Sequence, residues 1–423
     1  MSALLRAVLL RAVLLGAVTL AMSGGIAAQA TVARTEVTQA AGVAAASGWP
    51  VAVSLHYGRP QNASGYSAIV APGRSDTWAF GGTNPGGISQ PVALQWNGTR
   101  WRFSPLPRGL SGFIDDASAP SARDIWAVSY SGGYVLHWNG ARWSVAKRWR
   151  HPDVLTGVTA VNPADVWAFS TTAAGVSGLG TWHFNGRSWA RARGPGGEIH
   201  RASAVSARDI WAVAATRRGG FVEHYNGRSW RSVHTLRMLT GASLDDVMAV
   251  SRRDVWLVGN LRARHGEGRL VVAHFDGRRW TKTLTPWHAD TGRLAPDGSG
   301  GVWVTADTTG ISPHALIGHL SRGGRLSWTT LRRGLGSGVS GIAAVRGTTK
   351  VWLSGGFLTQ DGGDAVVWSH GSNRPARHGS GRPPGIGRGR AAGAARPGDR
   401  LAVMPSGDPR AARGHHAVQA SSL

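Results

Sequence analysis

Short apolar stretches separated by polar turns recur along the chain between residues 48 and 371. Each repeat opens with an apolar strand, a turn that usually ends in Asp, and then Ile or Val followed by Trp. The anchor tryptophans lie about 45 residues apart and are Trp78, Trp126, Trp167, Trp211, Trp256, Trp303 and Trp352. Self-similarity at this period is typical of proteins built from stacked copies of one structural unit.

The second half of each repeat carries a hairpin signal. A strand ends on an aromatic residue and Asn-Gly or Asp-Gly, and a tryptophan follows, as in Tyr225-Asn226-Gly227 and Trp230. The sixth repeat departs from this pattern, because Gly323-Gly324 stand in place of Asn-Gly or Asp-Gly before Trp328. Asn-Gly pairs supply the positive φ angles of tight hairpins. The sequence therefore predicts an all-β fold, a seven-bladed β-propeller of four-stranded antiparallel blades.

The pattern over about residues 48–371 resembles the tryptophan-rich seven-bladed propeller repeats of secreted bacterial proteins, which are loosely similar to kelch and BNR propellers. The resemblance implies a propeller fold. It implies little about activity, because propellers include enzymes, lectins and scaffolds.

Blade seven lacks its outer strand, since no tryptophan strand follows His370-Gly371. The segment Gly48-Trp49-Pro50-Val51 resembles the outer strands of the other blades. We expect it to pair with blade seven and close the ring, which removes two exposed sheet edges.

The two ends of the chain differ in composition from the repeats. Residues 1–30 combine Arg6 and Arg11, an apolar run and an Ala-Gln-Ala exit, which is typical of a cleaved signal peptide and predicts a secreted, extracellular protein. A retained membrane anchor is the alternative. Residues 31–47 are expected to be a linker, and residues 372–423 a disordered tail rich in Arg, Gly and Pro.

The formal net charge is +25, and of the 47 basic residues only Lys147, Lys282 and Lys350 are lysine. Such a charge favours an anionic partner, such as an anionic polysaccharide, a cell-wall polymer or a phospholipid surface of the cell envelope. A protein partner is also considered, and export disfavours nucleic acid. The chain has no cysteine, which excludes disulfides, thiol catalysis and cysteine-ligated metals. We expect a monomer.

Several repeated side chains are candidates for chemistry, but their regular positions favour structural roles. A histidine precedes the aromatic residue of five third strands, at His137, His183, His224, His274 and His319. Third strands lie too far from the propeller axis for these side chains to share one metal ion. The aspartates before the anchor tryptophans are expected to cap turns, and the tryptophans to fill the space between blades. Irregular aromatics, Tyr130, Trp149 and Trp287, are better ligand candidates.

Non-repeated charges are expected at the channel rim, where the innermost strands begin. Positions eleven and ten before the anchor tryptophans carry Asp115, Asp116, His200, Arg201, Asp245, Asp246 and Arg293. They could bind a polar ligand, take part in acid–base chemistry, or form salt bridges that only stabilise the fold. The two aspartate pairs could also hold calcium, which prefers oxygen ligands, and no other cofactor is expected.

The opposite ends of the strands are expected to carry a ring of turn arginines, which either are merely solvated or contact an anionic surface. They are Arg74, Arg100, Arg123, Arg142, Arg187, Arg208, Arg228, Arg252, Arg253, Arg278 and Arg279.

Two functions fit these features. The first is a non-catalytic binding or scaffold protein for an anionic glycan, a cell-envelope polymer or a protein. The alternative is a polysaccharide lyase or hydrolase with its site at the channel entrance. Only four glutamates are present, Glu36, Glu198, Glu223 and Glu267, so a glycosidase would depend on the aspartate pairs.

Overall fold

The computed structural model describes residues 48–56, 64–84, 88–149, 155–170, 180–216, 219–233, 239, 241–262, 268–308, 314–331, 336–359 and 362–374. The expected signal peptide, the linker and nearly all of the basic tail lie outside these residues. No helix within the described ranges is long and apolar enough to cross a membrane.

The described chain forms antiparallel strands arranged as seven blades. Blade one contains β2 (Ser64–Gly73), β3 (Asp76–Thr83), β4 (Gln90–Trp96) and β5 (Trp101–Phe103). Blade two contains β6 (Ile114–Ser121), β7 (Asp124–Ser129), β8 (Tyr134–Trp138) and β9 (Trp143–Arg148). Blade three contains β10 (Leu155–Asn162), β11 (Asp165–Ser170), β12 (Thr181–Phe184) and β13 (Trp189–Ala192). Blade four contains β14 (Glu198–Ser206), β15 (Asp209–Thr216), β16 (Gly219–Tyr225) and β17 (Trp230–Ser232).

Blades five and six share one long strand. Blade five contains β18 (Ala242–Ser251), β19 (Asp254–Arg262), β20 (Gly268–Phe275) and the first part of β21 (Trp280–Pro296). The second part of β21 is the innermost strand of blade six, which continues with β22 (Val302–Thr308), β23 (Ala315–Leu320) and β24 (Leu326–Leu331). These two blades therefore form one seven-stranded sheet, whereas each of the others is a separate four-stranded sheet.

Blade seven is closed by the N-terminal strand, as the sequence predicts. Its sheet order is β1 (Val51–Leu55), β27 (Gly362–His370), β26 (Val351–Thr359) and β25 (Gly336–Ala344). Strand β1 pairs antiparallel with β27, with Ser54 opposite Val366. Residues from the two ends of the propeller thus complete one blade.

Seven apolar clusters fill the spaces between adjacent blades. An anchor tryptophan typically packs against the outer-strand tryptophan of the next blade, as in the edge-on contact of Trp352 with Trp101 at 5.3 Å between ring centroids. Blade six follows the same rule with Trp303 against Trp49 at 5.4 Å. Trp49 therefore occupies the outer-strand position of blade seven, although it lies at the other end of the chain.

Candidate functional site

A β-bulge interrupts the innermost strand of every blade at the same level. In blade two it separates Ile114 from Asp116, and in blade four it separates Ile199 from Arg201. A bulge changes the direction of side chains from the regular alternation along the strand. Which member of a predicted pair, such as Asp115 and Asp116, enters the channel therefore depends on the bulge.

The residues just after the bulges face the central channel. Asp116, Arg201, Asp246 and Arg293 line a cavity of about 500 Å³ on the channel axis. Its other lining residues are small or apolar for the most part. Asp115, His200 and Asp245 occupy the bulges themselves and do not belong to this lining. The structure thus brings together four of the seven predicted rim residues.

The expected alignment of blade seven was wrong by one residue. Ala343 pairs with the anchor Trp352, whereas in blade two Ser118 pairs with Trp126, so the turn of blade seven contains one extra residue. Gly341, not Ile342, therefore occupies the position equivalent to Asp116.

The two channel carboxylates connect neighbouring blades in the same way. Asp116 Oδ2 accepts a hydrogen bond of 3.0 Å from the backbone N–H of Val158 in blade three. Asp246 Oδ2 accepts one of 2.9 Å from the backbone N–H of Leu294 in blade six. In each case the donor follows the position equivalent to the aspartate in the next blade. Both carboxylates therefore satisfy backbone donors on the unpaired edge of the next blade's innermost strand.

The two channel arginines donate hydrogen bonds to backbone carbonyl oxygens of their own and neighbouring blades. Arg201 Nη1 donates to the carbonyl oxygens of Thr156 and His200, and its Nε lies 3.7 Å from Asp116 Oδ1. Arg293 Nη1 donates to the carbonyl oxygen of Asp245 at 3.5 Å, and its Nε donates to that of Ser340 at 3.2 Å. Each guanidinium therefore connects bulge carbonyls of different blades.

The bulge side chains also make local contacts. Asp115 Oδ2 accepts a hydrogen bond from the backbone N–H of Tyr130 at 2.8 Å. His200 Nδ1 lies 2.9 Å from the carbonyl oxygen of Leu244 in blade five, so this nitrogen carries the proton and donates. Burial lowers the pKa of His200, against the raising effect of that hydrogen bond, and the nearby Arg201 lowers it further. The ring is therefore neutral at pH 7.

Burial raises the pKa of Asp246, the channel carboxylate of blade five. Arg293 and Arg201 lower this pKa, but their effects are smaller than the effect of burial. Low local polarity penalises the charged form even beside two cations.

The channel cavity contains one member of each aspartate pair. Asp116 and Asp246 belong to its lining, and Asp115 and Asp245 do not. Within the part of the chain that the structure describes, no group of three or more His, Asp or Glu side chains is arranged to hold a metal ion.

Each of the five repeated histidines lies within hydrogen-bond distance of an aspartate carboxylate. In blade four, Asp209 Oδ1 accepts hydrogen bonds from Trp211 Nε1 at 2.9 Å and His224 Nε2 at 2.7 Å. Blades two, three and five repeat this Asp–Trp–His contact. The aspartates therefore have a structural role, but their side chains join the tryptophan and histidine, while Ser and Asn cap the turns.

Blade six reaches the same arrangement from another residue. Gly301 stands where the repeat has Asp, but Asp297 from the preceding turn contacts His319 Nε2 at 2.9 Å, and His319 stacks on Trp303. This substitution was not apparent from the repeat alignment.

The turns after the first and third strands of each blade lie at one end of the strands, because adjacent strands are antiparallel. We call this end the turn face. The exposed arginines on it are Arg74, Arg100, Arg123, Arg142, Arg187, Arg208, Arg228, Arg252, Arg253, Arg278, Arg279, Arg322, Arg325 and Arg346. Among the aspartates at this end, Asp124 and Asp209 are buried against their histidines. Exposed charge on the turn face is therefore predominantly positive.

The stems of several turn arginines rest on hairpin glycines. A β-carbon on Gly227 would lie 2.6 Å from Arg208 Cγ, and one on Gly277 would lie 2.6 Å from Arg253 Cβ. Both glycines have positive φ angles, of 91° and 89°. Glycine is thus required at these turns both for backbone conformation and for the close approach of the arginine stem.

Near the centre of the turn face, the penultimate residue of four innermost strands is apolar. Pro120, Val161 and Val205 line the end of the channel cavity, and Val250 occupies the equivalent position in blade five. Val205 and Val250 are 36% and 48% exposed. We call Pro120, Val161, Val205 and Val250 the apolar collar. It lies inside the ring of turn arginines and was not recognised from the sequence.

The structure describes contacts for two of the three irregular aromatic residues that the sequence singled out as ligand candidates. Trp149 packs edge-on against Trp182 at 5.4 Å, and Lys147 Nζ lies 5.6 Å from the Trp149 ring centroid. Tyr130 donates its backbone N–H to Asp115. The side chain of Trp287 lies outside the described part of the structure.

No family model and no curated protein matches this chain. Solved propellers do match it in structure. A structure titled YCF48 bound to D1 peptide is 14% identical, with a TM-score of 0.52, and the match covers 77% of this chain and 97% of that one. Virginiamycin B lyase from Staphylococcus aureus with quinupristin is 9% identical at a TM-score of 0.52, covering 73% and 95%. The RRP9 WD40 repeats are 10% identical at 0.51, covering 73% and 95%. These likenesses show the fold.

Proposed function

We propose that this protein is a secreted, non-catalytic β-propeller that binds an anionic partner through its turn face. The observation that carries the proposal is the array of exposed arginines repeated around the two turns of successive blades. Guanidinium groups recognise carboxylate, sulfate and phosphate groups with paired hydrogen bonds. Candidate partners are an anionic glycan, a cell-envelope polymer or an acidic protein.

The hydrogen bonds of the charged channel residues favour a structural role for them over a catalytic one. Asp116 and Asp246 accept backbone hydrogen bonds across blade boundaries, and Arg201 and Arg293 donate across them. An acid–base pair needs groups within reach of a substrate and ready to exchange protons. Fold likeness does not decide the matter, since the similar structures include both a lyase and a peptide-bound protein.

Binding to soluble polyanions tests the proposal. The mature protein should bind immobilised poly-glutamate and dextran sulfate in surface plasmon resonance, with affinity falling steeply as salt rises. A variant with Arg208→Gln and Arg253→Gln should bind about tenfold more weakly. The matched control removes two exposed arginines from the opposite ends of the strands, Arg108→Gln and Arg193→Gln. Equal loss in both variants would show that total charge, and not the turn face, is responsible.

Export and the absence of catalysis have their own tests. We expect protein recovered from culture medium to begin after Ala30, as N-terminal sequencing would show. Turnover of an acidic polysaccharide by the wild-type protein, abolished by Asp246→Asn, would establish the enzymatic alternative.

A further inference from the structure

We infer that the turn face docks on a membrane surface containing anionic phospholipids. This inference rests on the proposed function and names the partner class. It depends on three properties of the turn face, namely its two rings of arginines, the stems of Arg208 and Arg253 that lie against hairpin glycines, and the apolar collar at its centre.

The arginines form two concentric rings on the turn face. Turns after first strands, with Arg123 and Arg208, lie near the channel, and hairpins after third strands, with Arg142 and Arg228, lie about 10 Å further out. A linear anionic chain crossing such a face would meet only some of these side chains at a time. An extended layer of phosphate groups offers partners to side chains of both rings.

The arginine side chains are prepared for such a contact. Arg208 and Arg253 lie against hairpin glycines of their own blades, so their stems already have a fixed direction. Arg252 is 84% exposed at its side chain although its Nε is 3.6 Å from Asp209 Oδ2. Binding therefore requires little ordering of these side chains, which reduces its entropic cost.

The apolar collar distinguishes a membrane from a soluble polyanion. Val205 and Val250 are exposed at the centre of the face, with the arginines around them. Interfacial membrane-binding surfaces combine apolar residues that reach the acyl boundary with surrounding basic residues that contact headgroup phosphates. A soluble polyanion would gain nothing from the exposed valines.

Vesicle sedimentation tests this inference with the mature chain. Vesicles of 70% phosphatidylcholine and 30% phosphatidylglycerol are the probe, and pure phosphatidylcholine is the reference. We expect binding to the mixed vesicles only, weakened about tenfold by Arg208→Gln with Arg253→Gln and little changed by Arg108→Gln with Arg193→Gln. Circular dichroism and thermal unfolding of each variant confirm that it is folded.

A second variant separates the membrane from other anions. Val205→Ser with Val250→Ser should reduce vesicle binding several-fold while leaving poly-glutamate binding unchanged. Binding to poly-glutamate without binding to mixed vesicles would overturn the membrane inference and leave the proposed function standing. Binding to neither probe would overturn both. If the valine substitutions left vesicle binding unchanged, the apolar collar would have no role in membrane docking. The inference that the turn face docks through both arginines and collar would then be wrong.

Discussion

One side-chain contact recurs regularly in the blades. It joins the aspartate at the end of the first turn to the anchor tryptophan and to a histidine of the third strand. In blade two, His137 stacks on Trp126 with 4.1 Å between ring centroids while both donate to Asp124. Repetition identified these residue types as structural. It did not identify their partners, because the histidine and the aspartate are separated by a connection whose length varies from blade to blade.

Blades one and seven show that the contact is not obligatory. They have Gln95 and Ser369 where blades two to six have histidine. Within the described residues, neither Trp78 Nε1 nor Trp352 Nε1 has a hydrogen-bond partner. The fold therefore tolerates two incomplete copies, in which the anchor tryptophan still packs edge-on against a tryptophan of the next blade.

At the channel, Asp246 should make stability depend on pH. Its pKa is raised in the folded protein, so its contribution is fully present below the unfolded value near pH 4 and decreases as pH rises through the folded value. Asp246→Asn resembles the protonated carboxyl at every pH. Relative to wild type, the variant should therefore gain unfolding free energy between pH 4 and pH 8.

Urea unfolding of both proteins at the two pH values measures that gain. Asp115→Asn is the matched control, since Asp115 is the neighbour of a channel carboxylate but bonds Tyr130. A difference between Asp246→Asn and wild type that is the same at pH 4 and pH 8 would contradict the raised pKa.

At the scale of strands, the bulge is the feature that periodicity could not reveal. Alternation of side chains predicts which face a strand buries, but one extra residue reverses that assignment beyond it. The sequence therefore located the rim residues on the right strands but did not show which member of each pair lines the channel. The slip in blade seven has another cause, because an extra residue in the turn between β25 and β26 shifted the alignment.

The bulge brings the innermost strand close to its neighbour. A β-carbon on Gly355 of β26 would lie 2.1 Å from the carbonyl oxygen of Gly338, and equivalent glycines are Gly81 and Gly259. We expect Gly355→Ala to lower the free energy of unfolding by about 2–3 kcal/mol, because backbone atoms must move.

The control for that substitution is Gly338→Ala on the adjacent strand. There the nearest atom to a new β-carbon is Asp307 Oδ1 at 3.9 Å, which is an ordinary contact distance. Denaturant unfolding should show a change for Gly338→Ala well below that for Gly355→Ala. Similar losses in both variants would contradict the close approach as the cause, because the lower entropy of the unfolded chain would by itself make either substitution stabilising.

At the scale of the whole propeller, blade number, closure and the position of the tryptophans were predictable, because each follows from a repeated pattern that must bury its apolar faces. The ring of turn arginines was predictable for the same reason, because its members repeat with the blades. The collar was not, because its residues lie far apart in sequence and come together only when the ring closes.

Ring closure gives the last prediction. Val53 and Leu55 of β1 are fully buried, and Trp49 is 2% exposed between Trp303 and His370. Deleting residues 48–56 removes these side chains and exposes an edge of β27. We expect a loss of several kcal/mol in unfolding free energy, at least the 3–5 kcal/mol typical of removing one buried tryptophan side chain. Deleting residues 375–423 is the control, which should leave the unfolding temperature unchanged.

A circular permutant decides whether closure depends on the strand or on its place in the chain. His370 Nδ1 lies 2.8 Å from the carbonyl oxygen of Gly48, so an Asn-Gly turn can join Gly371 to Gly48 and form a hairpin of β27 and β1. The permutant would begin at residue 57 and end at residue 56. In the permutant, β1 follows β27 in the chain but occupies the same position in the sheet. The unfolding temperature of the permutant should therefore match that of the protein lacking residues 375–423. A permutant as unstable as the deletion of residues 48–56 would show that β1 does not complete blade seven.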